Sequence, residues 1–185
     1  MKFVLICKLT RVFNFNIKHA VKKFMFFIIA GIVWITIDRL FKIWILNNCA
    51  VGTKISDTFL GIFHLTFIKN TGAAFGIFAN NPNLINILSC VMLFIILFFF
   101  LVQLYRESSH CISLKLNTLQ IFSVAIMCSG ALSNIIDRFK FGFVVDYIEL
   151  DFIKWPVFNI ADIGVTLGVF LFAVSLLAFL IKADK

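Results

Sequence analysis

Four apolar runs, each close to the length of a membrane-spanning helix, constrain the fold of this chain more than any other feature. A helix needs about 20 mainly apolar residues to cross a bilayer. The mean hydropathy of +1.04 and the charged fraction of only 14% agree with such spans. We therefore predict an all-α membrane protein with four transmembrane helices, which cover residues 24–46, 84–104, 116–136 and 160–181.

The domain organisation follows from the length. In a chain of 185 residues the four spans and their connections use most of the sequence, so a second soluble domain does not fit. We predict a basic cytoplasmic N-terminal segment over residues 1–23 and a single four-helix membrane domain over residues 24–185. Because Asp38 and Lys42 lie inside the first apolar run and no small-x-small cleavage site follows it, we expect an uncleaved signal anchor.

The basic residues predict the orientation in the membrane. If the N-terminus is cytoplasmic, the cytoplasmic parts carry ten Lys and Arg residues and the opposite side carries five. This bias places both termini in the cytoplasm and the two long connections outside. The net charge of +8 follows the same plan and lacks the basic and aromatic interleaving of a nucleic-acid surface, so we expect no nucleic-acid partner.

The cysteines and histidines are scattered along the chain. None of the five cysteines forms a CxxC pair, and the three histidines are equally dispersed. This pattern argues against a disulfide framework and against a zinc site. We expect neither a metal nor another cofactor.

Both long connections carry a period-two pattern that is typical of strands. In the first, the apolar residues of "FHLTF" alternate with His64 and Thr66, and the pattern ends at the turn Asn70-Thr71-Gly72. The second connection contains "DYIELDF", which also alternates. We predict a small external β-strand subdomain at the membrane surface.

The second alternation separates the acidic residues by face. Asp146 shares a face with Ile148 and Leu150, whereas Glu149 and Asp151 share the polar face with Tyr147. A solvated acid belongs on the polar face. The pattern therefore singles out Asp146 and predicts that the other two acids are solvated.

Charges inside or beside the spans need partners, because an ionised side chain is costly in the bilayer. Asp38 and Lys42 are four residues apart on one helix and can neutralise one another. Asp137 and Arg138 end the third span after the small-residue run "CSGALSN", which permits close helix packing. For that second pair, an end-of-helix charge pair and a role in shaping a site both remain open.

Asp162, at the start of the fourth span, has two interpretations. Asn159 precedes it by three residues, which is the spacing of an N-cap and an acid in the first helical turn. Asp162 also falls near the same predicted interface as Asp146. Two carboxylates brought together in a low-dielectric setting share one proton, which is the chemistry of an aspartic protease.

Four motifs in order resemble one family. They are "IDRLFK", "KNTGAAFGIF", "SGALSNIIDRFKFGFVVDY" and "FNIADIGVTLG". Together they resemble the bacterial lipoprotein signal peptidase, signal peptidase II, from about Asp38 to Gly168. The resemblance implies an aspartic endopeptidase of the bacterial inner membrane, with its site near the external face, that removes signal peptides from prolipoproteins by cutting before the diacylglyceryl-modified cysteine. It implies that Asp146 and Asp162 are catalytic.

The resemblance also implies a set of supporting residues, of which Asn134, Arg138 and Asn159 lie closest to the two aspartates. Two positions depart from the family pattern. Ser133 stands where the family often has glycine, and Phe41 stands where a small hydroxyl residue is common. The full supporting set comprises Asp38, Lys42, Asn70, Gly72, Gly130, Asn134, Asp137, Arg138, Asn159 and Ala161.

Two rival functions remain open. A non-enzymatic transporter or assembly subunit would use intramembrane acids as ion or proton ligands, and would spread them at mid-span depth. Here five of the nine acids fall between Asp137 and Asp162, which favours an interfacial site. A lipid-modifying transferase would need a repeated Asp-rich metal motif on a span, and the sequence carries none. We expect prolipoproteins and membrane lipids as partners of a monomeric protein.

Overall fold

The computed structural model describes residues 17–54, 61–72, 81–108 and 115–183. Four of its helices are long and apolar enough to cross a membrane, which confirms the predicted fold class. Two strands form a small antiparallel sheet. In chain order the elements are α1 (Ile17–Asn48), β1 (Phe63–Asn70), α2 (Pro82–Ser108), α3 (Thr118–Phe141), β2 (Val144–Leu150) and α4 (Ile160–Ala183).

Helix α1 is longer than the apolar run that predicted it. Its 32 residues begin at Ile17, so the end of the predicted basic segment is helical and continuous with the span. At 1.5 Å per residue the helix is about 48 Å long, which exceeds the hydrocarbon core. Residues 1–16 lie outside the described part of the chain.

Helix α3 is the centre of the bundle. In its most apolar window 67% of the residues are buried, against 11–17% in the other three helices. Small residues let α4 approach it closely, as the run "CSGALSN" predicts. A Cβ built on Gly130 would lie 2.3 Å from the carbonyl oxygen of Ala161, and one on Gly168 would lie 2.6 Å from that of Ser123. The backbones of α3 and α4 are therefore in direct contact.

The sheet pairs β1 with β2. Ile68 lies opposite Asp146, and Asn70 lies opposite Val144, after an irregularity in the ladder between Leu65 and Ile68. This register confirms the strand ending at Asn70. It also brings that residue beside Asp146, although 76 positions separate them in the chain.

The two faces of β2 differ from the predicted arrangement. Tyr147 was predicted on the polar face, but it is 1% exposed and packs with Ile45, Phe67 and Val145 in an apolar cluster. The other face carries Val144 and Asp146 towards a cavity. The alternation correctly assigned the residues to two different faces of the strand. It did not identify which face packs in the apolar core, because residues on both faces are buried here.

A buried ion cluster lies at the end of the bundle that is away from the sheet. Glu107 near the end of α2 is 4% exposed and pairs with Lys23 and His19 of α1. Glu107 Oε2 accepts from the Leu116 N–H at 3.2 Å, and Lys23 Nζ donates to the Leu116 carbonyl at 2.6 Å. These contacts join α1 and α2 to the segment that leads into α3.

Candidate active site

A cavity of about 260 Å³ lies between α3, β2 and the first turn of α4. It brings Asp146 and Asp162 to one site, as the sequence predicted. Trp155 and Pro156, from the connection between β2 and α4, also line it. Neither Trp155 nor Pro156 was among the predicted site residues. Other lining residues are Asn70, Asn134, Arg138, Val144 and Thr166.

Asp146 is held by two side-chain amides. It is 1% exposed. Asn70 Nδ2 donates to Asp146 Oδ2 at 2.8 Å, and Asn159 Nδ2 donates to Asp146 Oδ1 at 2.7 Å. Gly72 N donates to Asn70 Oδ1 at 2.9 Å, which turns the amide nitrogen of Asn70 towards the carboxyl group. The predicted residues Asn70, Gly72 and Asn159 therefore converge on Asp146.

Asp162 caps a helix and lines the cavity at the same time. Its N–H donates to Asn159 Oδ1 at 2.9 Å, and its Oδ2 accepts from the Asn159 N–H at 3.1 Å, which completes a capping box. Its Oδ1 accepts from Asn134 Nδ2 at 2.8 Å. The two interpretations of Asp162 are thus compatible, because each uses a different carboxylate oxygen.

Asn159 connects the two aspartates. Its side chain is fully buried and contacts Asp146, while its backbone N–H contacts Asp162. The side chain also lies 3.2 Å from Asn134 Oδ1. Any displacement of Asn159 therefore disturbs both carboxyl groups.

A buried lysine organises a layer of polar side chains behind Asp146 and Asp162, the two residues that we call the dyad. Lys42 Nζ lies 3.0 Å from Asp38 Oδ2 and 2.9 Å from Asp137 Oδ2, and donates to Asn134 Oδ1 at 2.8 Å. These three acceptors match the three protons of an ammonium group. The predicted Asp38–Lys42 pair is confirmed. Lys42 also affects Asp162 through Asn134. The side-chain oxygen of Asn134 accepts from Lys42, and its side-chain nitrogen donates to Asp162.

The same layer fixes the start of α4. Asp38 Oδ1 accepts from the Ala161 N–H at 2.9 Å, and Trp34 Nε1 donates to the Ile160 carbonyl at 3.3 Å. Tyr147 Oη accepts from the Ile160 N–H at 3.3 Å. The unpaired N–H groups at the N-terminus of α4 thus find acceptors on two other elements.

Asp137 and Arg138 do not form the end-of-helix pair that was one interpretation. Asp137 is fully buried, pairs with Arg39 and Lys42, and accepts from the Val145 N–H at 3.2 Å. Arg138 instead lines the cavity, and its buried Nε has no hydrogen-bond partner within the described ranges. Adjacent residues on a helix point about 100° apart, so the two side chains diverge.

Arg39 was missed in the sequence. Its signal was charge balance: once Asp38 is matched to Lys42, an arginine beside them in a span needs another acid. The structure supplies Asp137, which lies 98 positions away in the chain.

Glu149 and Asp151 keep contact with solvent, as the alternation predicted: their side chains are 42% and 24% exposed. Both also contact His64, which the sequence did not predict. Its Nδ1 lies 2.7 Å from Asp151 Oδ1, and its Nε2 lies 3.1 Å from Glu149 Oε2. Cross-strand pairing brings the three residues together, and they remain separate from the cavity that holds the dyad.

The electrostatics of the cavity favour a shared proton. Burial, followed by the negative charge of Asp162, raises the pKa of Asp146 from its ordinary value to about 7. The hydrogen bonds from Asn70 and Asn159 and the charge of Lys42 oppose this increase in pKa. This raised pKa favours a proton on Asp146 when Asp162 is ionised.

Comparisons with known proteins agree with the family resemblance that the four sequence motifs indicated. A family model described as signal peptidase (SPase) II matches residues 29–178. A protein of Clostridioides difficile named lipoprotein signal peptidase is 35% identical over 155 residues, which are 84% of this chain and 97% of that protein. One of the same name from Halothermothrix orenii is 35% identical over 162 residues, 87% of this chain and 98% of that protein.

Solved structures also resemble the fold. One, described as a bacterial membrane enzyme determined by the in meso method at 2.3 Å resolution, superposes with a TM-score of 0.70 at 25% identity. The match covers 89% of this chain and 91% of that chain. A second structure with the same description, at 1.9 Å resolution, gives a TM-score of 0.67 at 25% identity and covers 89% of this chain and 96% of that chain.

Proposed function

The chain belongs to the signal peptidase II family of peptidases, and on that premise we propose that it is an aspartic endopeptidase that removes signal peptides from diacylglyceryl-modified prolipoproteins. The cut falls before the lipid-bearing cysteine, and Asp146 and Asp162 are the catalytic residues. The observation that carries the proposal is the position of Asn159, which contacts both carboxyl groups beside one cavity.

The two aspartates divide the chemistry. Asp162 is the ionised member, because it lies in the first turn of a helix, where a negative charge is favoured, whereas Asp146 lies on a strand. It takes a proton from water as the water oxygen attacks the scissile carbonyl carbon. Asp146 carries the shared proton and donates it to the carbonyl oxygen. The gem-diol intermediate then collapses: the peptide C–N bond breaks, the leaving amine takes the proton held by Asp162, and one hydroxyl proton of the gem-diol returns to Asp146.

Arg138 and the polar layer support this chemistry. The guanidinium group of Arg138 lines the cavity, and its Nε has no partner among the described residues, so we assign it to a backbone carbonyl of the substrate. Lys42 and Asn134 orient Asp162, while Asp38 and Ala161 fix the helix turn that carries it. Gly130 permits the close contact of α3 with that turn.

The membrane setting suits a lipid-modified substrate. We propose that the protein lies in the bacterial inner membrane as a monomer, with both termini cytoplasmic and the dyad near the external face, in line with the distribution of Lys and Arg. The acyl chains of the substrate then remain in the outer leaflet while its peptide enters the cavity.

The test uses purified protein and a diacylglyceryl-modified prolipoprotein, with loss of the signal peptide followed by gel mobility. Asp146→Asn and Asp162→Asn should each abolish cleavage, and a chelator should have no effect. Asp151→Asn is the matched control, because this acid contacts His64 outside the cavity, and it should cleave as the wild type does. Cleavage by either dyad variant would overturn the assignment.

The same assay separates the rival function. A transporter or assembly subunit predicts that wild-type protein leaves the prolipoprotein intact. A prolipoprotein without its diacylglyceryl group tests the substrate class. It should be cleaved far more slowly than the modified form. Equal rates would show that the diacylglyceryl group is not required for cleavage.

A further inference from the structure

A cleft of about 380 Å³ lies between α2 and α4, in the half of the bundle that is away from the sheet. Its walls are the second halves of α2 and α4, and its base is the first half of α3. It shares no lining residue with the cavity of the dyad. We call this space the α2–α4 cleft, and no step of the chemistry above uses it.

The α2–α4 cleft has a buried base and an open edge. Phe100 and Val124, which line its base, are buried, whereas Ile95 and Phe99 are 40% and 66% exposed. These two exposed residues lie on an apolar helix long enough to cross a membrane. The cleft therefore opens sideways to the lipid around the bundle.

A buried side-chain amide at the base has a donor to spare. Gln120 lines the α2–α4 cleft and is 4% exposed. Its Oε1 accepts from the Asn117 N–H at 3.0 Å, as part of the cap of α3. Its Nε2 donates to no group among the described residues. Because an unsatisfied buried donor is unfavourable, this amide indicates a ligand that brings an acceptor oxygen into the cleft.

The end of the cleft next to Gln120 is basic. Lys115 is exposed five residues before Gln120, and Arg106 lies in the last turn of α2. Glu107, the acid that the structure describes at this end, is already paired within the buried ion cluster. Such an excess of positive charge at a membrane surface attracts anionic lipid headgroups.

The size and the lining of the cleft favour an acyl chain over a protein segment. A helix with its side chains is about 10–12 Å thick, which is too large for a space of this volume. An extended peptide would place unpaired N–H and C=O groups against apolar side chains at membrane depth, which is costly. An acyl chain carries no such groups. From Gln120 to Met127 the cleft follows α3 for about 10 Å.

We propose that the α2–α4 cleft binds one anionic phospholipid from the leaflet at the end of the bundle away from the sheet. Its phosphate lies at Lys115, one of its ester carbonyls accepts from Gln120 Nε2, and the attached acyl chain runs past Val124 to Met127. Since α2 and α4 both pack on α3, the bound lipid fills the space between them and stabilises the bundle. The site is separate from the dyad and does not depend on the proposed function.

The experiment is native mass spectrometry of the full chain in detergent, titrated with dioleoyl phosphatidylglycerol or with dioleoyl phosphatidylcholine. The wild type should bind phosphatidylglycerol more tightly. Lys115→Gln should weaken phosphatidylglycerol binding about five-fold, the effect of one lysine near a headgroup, and should leave phosphatidylcholine binding unchanged. Ether-linked phosphatidylglycerol, which lacks both carbonyl oxygens, should bind the wild type about five-fold less tightly than the ester-linked form.

Two variants at neighbouring positions test the acyl chain. Leu176→Trp fills the cleft from α4 and should weaken binding of both ester-linked lipids roughly ten-fold, the loss expected when about two methylene groups lose apolar contact. Leu177→Trp is the matched control, because it adds the same ring at the next, exposed position outside the cleft. It should bind both lipids as the wild type does.

Each contradictory outcome removes a defined part of the proposal. Equal phosphatidylglycerol affinity in the wild type and Leu176→Trp would overturn the site, as would a dimer without bound lipid, since a second copy would then cover the cleft. If Leu176→Trp does not fold, Ile95→Trp at the open edge decides in its place, with the same loss expected. Equal binding of the ester and ether forms would refute the contact with Gln120, and no preference for phosphatidylglycerol would refute that with Lys115.

Discussion

Ser133 donates a hydrogen bond from its hydroxyl group to Asp38 Oδ2 at 2.5 Å, between two membrane-spanning helices and with both side chains fully buried. Ser133 is one of the two positions at which the chain departs from the family pattern, which often has glycine here. The other oxygen of Asp38 holds the Ala161 N–H beside Asp162. This serine therefore strengthens a link from α1 and α3 to the helix turn that carries the dyad.

Removal of that hydroxyl should destabilise the protein. Ser133→Ala leaves a buried carboxylate without one of its donors, which costs about 1–3 kcal/mol. Thermal unfolding in detergent should show a lower Tm. The matched control is Ser129→Ala, since Ser129 donates to carbonyl groups of its own helix, those of Ala125 and Ile126. Equal Tm values for the two variants would show that the contact with Asp38 contributes nothing.

The proton on Asp146 predicts the pH dependence. A pKa of about 7 for Asp146 means that the native state holds this proton between pH ~4 and pH ~7, where the unfolded chain has released it. Stability from this group is therefore present at low pH and is lost as the pH rises through about 7. Because the protonated form is the proposed donor, kcat/KM should fall about ten-fold per pH unit above that value. A flat profile to about pH 9 would contradict the assignment of the proton to Asp146.

Asn70 should affect the pH at which kcat/KM begins to fall. Its hydrogen bond lowers the pKa of Asp146 by stabilising the ionised form. Asn70→Ala should therefore move the alkaline limb of kcat/KM to higher pH, along with any loss in kcat. Thr71→Ala, at the exposed neighbouring position, is the control and should keep the wild-type limb. A limb that moves to lower pH in Asn70→Ala would refute this role.

The buried cation is expected to matter more for stability than any of these contacts. Lys42→Met leaves Asp38 and Asp137 without a shared ammonium group, and breaking a buried pair costs about 3–5 kcal/mol. The double variant Asp38→Asn/Lys42→Met restores the charge balance, because Asp137 keeps Arg39. Chemical denaturation should rank the double variant above the single one. The reverse order would mean that charge balance is not the reason for the lysine.

Much of the architecture was accessible from local patterns. Apolar runs predicted the four spans, a period of two predicted both strands, and the spacing of Asn159 and Asp162 predicted a cap that the hydrogen bonds confirm. Each of these signals depends on residues close together in the chain. Local patterns could not assign partners, and the pairing of Asp137 with Arg138 failed for that reason.

The sequence by itself determined which residues carry charge at membrane depth and which segments cross the bilayer, because both follow from composition and period. Only the tertiary structure decided how the charges are paired. Asn70 meets Asp146 across a sheet, and Ser133 meets Asp38, which lies 95 positions away in the chain on another helix. A buried charge must find a partner wherever packing supplies one, so its partner depends on how distant elements pack and not on local spacing.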